Sequence, residues 1–290
     1  MTAGAVGAGE RDAPPRPDDV ALREAADRLL RAQREREPIE TLTARLHLTP
    51  ADAYRVQDHL VALMGGTRVG YKLGFTSDAM RRQMGIERPN LGVLTEAMRL
   101  ERELDLAAYI HPRVEPELAL VVGREWSAAP RREPARGAVD PSWLAELADS
   151  VVAVHPALEV VDTRYEAYRF RFEDNTADNS SAAGFALGPA LDVAPGELRD
   201  LGVSLEVGGR EVASGTGAAA LGDPLAALAW LIEELAGQGR SLAAGSLVLT
   251  GGLTASVPLR AGDVVRAVFA AAGSVTLTVR GRGAGEEMDE

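Results

Sequence analysis

Apolar residues near the start of the chain recur every three or four positions with charged residues between them, which is the period of an amphipathic α-helix. This spacing predicts a helix over residues 19–36. Thr49 followed by Pro50 is typical of a helix N-cap and a first helical residue, so a second helix should begin there and run to about Met64. Gly65-Gly66 then ends it.

Beyond these glycines the apolar residues stand in short, β-branched runs, which are typical of strands. The runs that predict strands are 69–73, 115–122, 151–161, 185–188, 201–207, 210–214, 246–250, 264–269 and 274–279. Two further helices are expected over 143–150 and 224–235, and Gly208-Gly209 is a hairpin turn. Helices first and mostly strands afterwards exclude a regular βαβ alternation and predict an α+β fold that is mainly β.

The pattern predicts one domain with a tail at each end. Residues 1–18, rich in Gly, Ala, Pro and charge, are expected to form a disordered tail, and 281–290 a frayed one. Residues 19–280 are expected to form a single domain, with a helical part over 19–66 and a β-rich core over 67–280. No apolar run is long enough for a membrane span or a signal peptide, so we expect a cytoplasmic protein with no membrane partner.

Composition removes several classes of function. The net charge of −12, from 31 Lys and Arg against 43 Asp and Glu, argues against a nucleic-acid partner. The absence of cysteine excludes thiol catalysis and cysteine-bound metals. Glycine-rich nucleotide motifs and G-x-S-x-G are absent too. Four histidines, none paired at metal-ligand spacing, are expected to be structural: His47, His59, His111 and His155.

Glu115-Pro116-Glu117 opens one of the apolar strands. Residues two apart on a strand share a face, so these carboxylates repel each other unless a cation lies between them. Mg²⁺ or Mn²⁺ would suit such oxygen ligands, and a solvent-facing acidic pair is the alternative. Proline cannot donate to a sheet ladder, so Pro116 predicts an edge position or a local bulge.

Glu159 and Lys72 are charged residues inside other apolar runs. Because an isolated buried charge is costly, Glu159 should be metal-bound, protonated or paired, with Arg164 as a candidate partner, unless its side chain faces outward. Lys72, between Tyr71 and Leu73, would be desolvated in such a strand and could move a proton or bind a carboxylate. The alternative is a surface lysine.

Two polar segments could complete a site. The stretch 176–181 (TADNSS) precedes an apolar run, and 250–254 (TGGLT) follows a strand. Paired glycines let backbone N–H groups approach an anion closely. Plain turns are the alternative for both segments. Their candidate residues are Asp178, Asn179, Ser180, Thr250, Gly251, Gly252 and Thr254.

Six segments, in order along the chain, carry a family resemblance. They are GYKLGFTS (70–77), HPRVEPELALVV (111–122), PALEVVDTRYEAYRF (156–170), ADNSSAAGFALG (177–188), GTGAAALGDPLAALAWL (215–231) and LTGGLTASVPLRAGD (249–263). This series resembles the family of 2-keto-4-pentenoate hydratases and 2-oxo-3-hexenedioate (4-oxalocrotonate) decarboxylases, within the fumarylacetoacetate-hydrolase-like superfamily.

The resemblance implies a mixed β-sandwich roll with helices packed outside. It implies that Glu115, Glu117 and Glu159 hold Mg²⁺ or Mn²⁺ and that the substrate is a small 2-oxo acid. The residues to which it gives catalytic or supporting roles are Lys72, Asp178, Asn179 and Asn90. The residues expected at the substrate are Tyr71, Leu73, Arg164, Ser180, Thr250, Gly251, Gly252 and Thr254. A homo-oligomer of aromatic catabolism is implied, with a hydratase or decarboxylase homologue as a further partner.

The segments 162–170 and 250–257 resemble the decarboxylases in particular. Hydratases of the family usually carry aspartate, and decarboxylases an apolar residue, where Asn90 stands. Asparagine cannot act as a general base. The hypothesis is therefore a metal-dependent decarboxylase of a vinylogous 2-oxo diacid.

A hydratase of a 2-hydroxy-2,4-dienoate is the first alternative, and a repurposed enzyme for a specialised 2-oxo acid is the second. An acylpyruvate-type C–C hydrolase is disfavoured because the sequence offers no clear Glu–His pair. A non-catalytic partner subunit is disfavoured by the intact glutamates and Lys72.

Overall fold

The computed structural model describes residues 16–127, 139–270 and 272–281. The predicted tails therefore lie outside the described residues, apart from 16–18 and 281. The α-helices of the described part are α1 (Asp19–Glu35), α2 (Pro50–Met64), α3 (Asp78–Met84), α4 (Pro141–Ser150), α5 (Phe172–Ala177) and α6 (Pro224–Gly237). None of them combines the length and the apolar character that crossing a bilayer requires.

Helices α1 and α2 form an N-terminal pair. The Asp18 side chain accepts a hydrogen bond from the Ala21 N–H at the start of α1, and Thr49 forms a capping box with Asp52 at the start of α2. These caps satisfy backbone groups that a helix end leaves without partners. The apolar faces of the pair meet in a small core that contains Leu22, Leu29, Val56 and Leu60. Both predicted helices are confirmed.

The strands of the described part build two sheets. They are β1 (Arg68–Gly74), β2 (Asn90–Thr95), β3 (Arg99–Leu100), β4 (Glu103–Asp105), β5 (Arg113–Val122), β6 (Val151–Val161), β7 (Ala182–Leu187), β8 (Gly202–Val207), β9 (Arg210–Thr216), β10 (Leu247–Leu249), β11 (Val257–Pro258), β12 (Val264–Phe269) and β13 (Gly273–Arg280). The larger sheet has the order β2-β1-β10-β5-β6-β7-β3, with β11 also paired to β5. The smaller has the order β4-β13-β12-β8-β9. The predicted α+β class is confirmed.

The main apolar core lies between the two sheets and α6. It contains Leu118 of β5, Val160 of β6, Val265 of β12, Leu277 of β13 and Leu228 of α6, all fully buried. Removing this apolar surface from water is the main stabilising contribution to the fold. Side chains alternate along a strand, so every second residue of β5 and β6 points to the opposite face of the sheet. There Ala119 and Ala157 pack in a second, smaller apolar cluster with Phe185 and Leu249.

Pro116 corrects one expectation. Strand β5 is an interior strand between β10 and β6, and its register with β6 passes Pro116 without a bulge. The Pro116 carbonyl accepts from the Leu253 N–H, in the loop between β10 and β11. In an antiparallel strand the nitrogen of a residue faces the same neighbour as its carbonyl. The missing N–H therefore faces a loop, where no ladder bond is lost.

Six of these helices and strands were not predicted: α3, α5, β2, β3, β4 and β11. All six residues of β2 are buried, so both its faces are covered and its sequence, NLGVLT, shows no alternation. Helix α5 has the polar sequence FEDNTA. Its Asp174 and Asn175 are buried, but they accept hydrogen bonds from Thr43 and Asn90 instead of packing in the apolar core. Periodicity therefore carried no signal for these segments.

Candidate metal centre

Two paired strands bring three glutamates together. Glu115 and Glu117 project from the same face of β5, and Glu159 of β6 lies directly opposite Glu115 in the antiparallel register. One carboxylate oxygen from each residue lies within 4.8 Å of the others. Glu117 and Glu159 are fully buried, while Glu115 is partly exposed to a cavity. The solvent-facing alternative for this acidic pair is therefore wrong.

The cluster contains more negative than positive charge. Burial raises the pKa of Glu115 to about 7, and the neighbouring Glu159 carboxylate adds to the shift. Burial also raises the pKa of Glu117 and of Glu159, although Lys72 opposes the effect on both. The Lys72 ammonium lies 3.1 Å from a Glu159 oxygen. Burial opposes the charge on Lys72, but the adjacent glutamates hold its pKa above its ordinary value.

The donor set fits a hard divalent cation. The described residues provide no hydrogen-bond donor for Glu117 Oε1 or Glu159 Oε1, although both atoms are buried. Three carboxylates against one ammonium leave an excess of two negative charges, which one Mg²⁺ or Mn²⁺ would balance. Oxygen ligands are those that these ions prefer. Glu115, Glu117 and Glu159 are the residues that would hold the ion.

The loop after β10 supports the cluster. The Gly251 N–H donates to Glu117 Oε2 at 2.8 Å, so a backbone N–H does approach an anion here, as the paired glycines predict. A Cβ on Gly252 would lie 2.5 Å from Glu115 Oε2, and one on Gly251 would lie 2.1 Å from Thr76 Oγ1. Side chains at these two positions would therefore push the loop away from the glutamates.

Lys72 reaches the cluster from β1. Its ammonium also lies 3.1 Å from the carbonyl oxygen and 3.4 Å from the hydroxyl of Ser180. Gly92 lies opposite Lys72 on β2, and a Cβ there would come within 3.1 Å of the lysine side chain and 2.5 Å of the Asn179 carbonyl. A glycine inside a strand is a signal of such close approach. Lys72 is 3% exposed, so the surface-lysine alternative is wrong.

A strained turn presents Ser180 to Lys72. Asn179, Ser180 and Ser181 have φ angles of 52°, 53° and 56°, a left-handed conformation that costs energy for residues other than glycine. The Asn179 side chain holds the turn by bonding both the N–H and the carbonyl of Val93, at 2.7 and 3.0 Å. Asn179 thus acts on the site through the backbone that it fixes.

A cavity of about 680 Å³ opens above the glutamates. Of the predicted residues, those that line it are Lys72, Leu73, Glu115, Ser180 and Gly252. Others in its wall were not predicted as site residues, among them Phe75, Thr76, His111, Arg113, Tyr168 and Ser256. His111, expected to be structural, does contact the Thr163 carbonyl at 2.9 Å, but it also faces the cavity.

Several residues expected at the substrate have other partners. Tyr71 points away from Lys72 and lies beneath the guanidinium groups of Arg68 and Arg240. Thr250 donates to the Leu118 carbonyl, and Thr254 to the Ala255 carbonyl. None of these three predicted residues is part of the cavity wall. Their roles in substrate binding stay predictions.

Arg164 is paired with Asp178 and not with Glu159. The two side chains approach to 2.6 Å, and Arg164 is 1% exposed. Glu159 has Lys72 as its cation instead. Neither Arg164 nor Asp178 is part of the cavity wall, so the substrate-binding role of Arg164 and the catalytic or supporting role of Asp178 stay predictions. Burial raises the pKa of Asp178 to about 6, although Arg164 opposes this shift.

Asn90 belongs to a buried polar network behind the cavity. Its amide nitrogen donates to Asn175 Oδ1 at 2.9 Å and to Thr176 Oγ1 at 3.0 Å, and its oxygen accepts from Ser180 Oγ at 2.9 Å. Since Ser180 contacts Lys72, Asn90 positions the lysine through the serine.

This network predicts the effect of Asn90→Asp. An ionised aspartate cannot donate, so it would face the acceptor Asn175 Oδ1 with no hydrogen between them, and we expect a loss of about 1–3 kcal/mol in the free energy of unfolding. The loss should grow as pH rises, because a protonated carboxyl group still donates one hydrogen bond. Urea denaturation of both proteins at pH 5 and pH 8 measures it. If the variant were as stable as the wild-type protein at both pH values, the network would be contradicted.

Comparison with known proteins places this chain in a family. The model of the fumarylacetoacetate (FAA) hydrolase C-terminal domain matches residues 96–280. The chain belongs to the fumarylacetoacetate hydrolase family. A 4-oxalocrotonate decarboxylase from Pseudomonas sp is 39% identical over 243 residues, which cover 81% of this chain and 88% of the relative. The TodF product hydratase of Pseudomonas putida is 36% identical over 263 residues, which cover 88% and 94%.

A solved structure of the fumarylacetoacetate hydrolase family shows the same architecture. The 4-oxalocrotonate decarboxylase from Pseudomonas putida G7, complexed with magnesium and adipate, matches with a TM-score of 0.80 at 32% identity. The match covers 91% of this chain and 100% of that chain. The family and fold predicted from the sequence are thereby confirmed. Both expected kinds of lyase, decarboxylase and hydratase, occur among the relatives.

Proposed function

We propose that this protein is a divalent-metal-dependent decarboxylase of a vinylogous 2-oxo diacid such as 2-oxo-3-hexenedioate. The observation that carries the proposal is the glutamate triad, which is paired with Lys72 and reaches a cavity of about 680 Å³ through Glu115. The names of the relatives with 39% and 32% identity, both 4-oxalocrotonate decarboxylases, support this choice of reaction.

The reaction develops negative charge on the C2 oxygen of the substrate, and this charge must be stabilised. Loss of CO₂ breaks the C5–C6 bond, and its electron pair moves through C4 and C3 to the oxygen on C2. A proton then gives a 2-hydroxy-2,4-dienoate. When bound, Mg²⁺ or Mn²⁺ supplies Lewis-acid stabilisation of this charge.

Residues of the chain supply the rest. Lys72 Nζ holds protons at the base of the cavity, fixed by Glu159 and by the Ser180 carbonyl, where it can stabilise or protonate the oxygen end of the substrate. The apolar part of the wall is formed by Leu73, Phe75, Met84, Val161, Phe170 and Leu259. Such a wall excludes water and strengthens electrostatic interactions inside the cavity.

The hydratase reaction is the second candidate, because two relatives named as hydratases are 36% and 34% identical to the chain. Water addition needs a base near the alkene. Asn90 cannot serve as one, and its amide is committed to Asn175, Thr176 and Ser180. The buried network therefore favours decarboxylation.

The direct test is an ultraviolet assay with 2-oxo-3-hexenedioate, with CO₂ trapped and quantified. We expect stoichiometric CO₂ release that EDTA abolishes and Mg²⁺ restores. Hydration of 2-hydroxy-2,4-pentadienoate without any CO₂ release from the diacid would instead assign the protein to the hydratases. Turnover that survives complete removal of metal would contradict the role of the glutamate triad.

A homo-oligomer, a complex with a homologous hydratase or decarboxylase, and a cytoplasmic location are further parts of this proposal. Light scattering of the purified protein, alone and mixed with such a homologue, would test the first two. Fractionation of the source cells would test the third.

A further inference from the structure

We propose that Arg113 binds the distal carboxylate of the substrate and thereby makes the enzyme prefer a diacid to a monoacid. The inference rests on the proposed function, because it takes the 2-oxo end of the substrate to lie at the glutamate triad. The inference adds a binding partner for the opposite end of the substrate, and this partner sets the length and charge of the molecule that the cavity accepts.

The alternation of β5 places Arg113 in line with the metal ligands. Arg113, Glu115 and Glu117 occupy every second position of the strand and so share one face, separated by roughly 6.8 Å per step. Arg113 and Glu115 both line the cavity. A short extended chain that starts at the triad can therefore run along β5 and meet the guanidinium group at its other end.

Lys72 is not available for that end. The Lys72 ammonium is held 3.1 Å from a Glu159 oxygen and 3.1 Å from the Ser180 carbonyl. It therefore lies at the metal end of the cavity, where the proposed function gives it the oxygen end of the substrate. Among the described residues that line the cavity, Arg113 is the other side chain with a permanent positive charge.

Arg113 is held in place for recognition. Its Nε donates to Ser256 Oγ and its Nη2 to the Ser256 carbonyl, both at 2.7 Å, and its guanidinium lies 5.7 Å from the centre of the Tyr168 ring. A guanidinium has five N–H groups, and two of them bond Ser256. Three remain without a hydrogen-bond partner among the described residues, enough for a two-point contact with a carboxylate.

The position of Arg113 also predicts how it affects the kinetics. The distal carboxylate is the group that leaves as neutral CO₂, so its ion pair with Arg113 is stronger in the bound substrate than in the transition state. Loss of such an interaction raises KM more than it lowers kcat. A residue that only stabilised the fold, or that acted on the metal end, would not give this division.

Binding of two substrate analogues to the Mg²⁺-loaded enzyme tests the assignment. 2-Oxoadipate and 2-oxohexanoate share the 2-oxo acid end and the chain length, but only the first has a distal carboxylate. We expect the wild-type protein to bind 2-oxoadipate more tightly by calorimetry. Arg113→Gln should reduce this preference roughly 10- to 100-fold, the value of a charged hydrogen-bonded contact, while affinity for 2-oxohexanoate stays within a few-fold.

Two variants serve as controls. Arg260→Gln removes an exposed positive charge in the loop after β11, and should leave the preference unchanged. Ser256→Ala keeps the charge of Arg113 and removes one of its two anchors, so it should give an intermediate loss. This second variant tests the assignment without removing the arginine, should Arg113→Gln fold poorly.

The outcomes separate this proposal from the proposed function. Equal weakening of both analogues in Arg113→Gln, or equal affinity of the wild-type protein for both, would overturn the role of Arg113 even if CO₂ is released. A clear preference for 2-oxoadipate that Arg113→Gln removes would uphold the role, even if 2-oxo-3-hexenedioate releases no CO₂. In that case only the reaction would need to be reassigned.

Discussion

Glu117→Gln should abolish metal-dependent turnover while making the metal-free protein more stable. We expect kcat/KM to fall by roughly 10³-fold or more, because a single donor to a developing oxyanion is already worth 10²- to 10³-fold and this change weakens the whole Lewis-acid site. Steady-state assays across a Mg²⁺ titration would measure the effect.

The gain in stability follows from the same geometry. Glu117 is fully buried with Glu159 as a close neighbour, and one of its oxygens has no donor among the described residues. Glutamine removes the repulsion and still offers an oxygen to the Gly251 N–H, which donates to Glu117 at 2.8 Å. Without metal, we expect unfolding to cost about 1–3 kcal/mol more in the variant. With saturating Mg²⁺ the order should reverse, since a bound ligand stabilises only the protein that binds it.

Glu96→Gln is the matched control. Its carboxylate is exposed and forms a long contact of 3.9 Å with Arg99, so both activity and stability should stay near the wild-type values. A Glu117→Gln protein that turns over normally would exclude the residue as a metal ligand. One that loses activity and also unfolds more easily without metal would instead show that the carboxylate is needed for folding.

The glutamates could be located from the sequence because strand alternation is a local rule. Two glutamates two residues apart at the head of an apolar run must share a face, and Glu159 inside a second such run needed a partner. Strand alternation could not predict which residue that partner is, because the partner lies far away in sequence. Arg164 is near Glu159 in sequence, yet Lys72 reaches it because β1 and β6 belong to the same sheet.

The wall of the cavity illustrates the same limit. The position of Arg113 in the wall could be predicted, since Arg113 continues the alternation of Glu115 and Glu117 toward the start of β5. Tyr168 and Ser256 carried no comparable signal. Tyr168 adopts a left-handed backbone conformation, φ 56°, and its hydroxyl lies within hydrogen-bond distance of the carbonyls of His111 and Val161, which share its single proton. Contacts of this kind depend on tertiary structure, which neither periodicity nor spacing reports.

Asp178→Asn should destabilise the protein by about 3–5 kcal/mol, the usual cost of breaking a buried ion pair by removing one partner. Asp178 lies 2.6 Å from Arg164 and also accepts from the Thr163 hydroxyl and the Arg164 N–H, at 2.9 and 3.0 Å. The variant leaves the Arg164 charge buried, because that side chain is 1% exposed. Equilibrium unfolding in urea measures the loss.

The double variant Asp178→Asn, Arg164→Met identifies the cause. If the uncompensated charge is responsible, replacing it with an apolar side chain should recover part of the lost stability. Glu103→Gln, which breaks the exposed pair with Arg280, should cost about 1 kcal/mol or less and serves as the control. A stable but inactive Asp178→Asn protein would support the catalytic or supporting role that the family resemblance implies. Lost stability with normal kcat per folded molecule would make Asp178 a residue that stabilises the fold and has no part in catalysis.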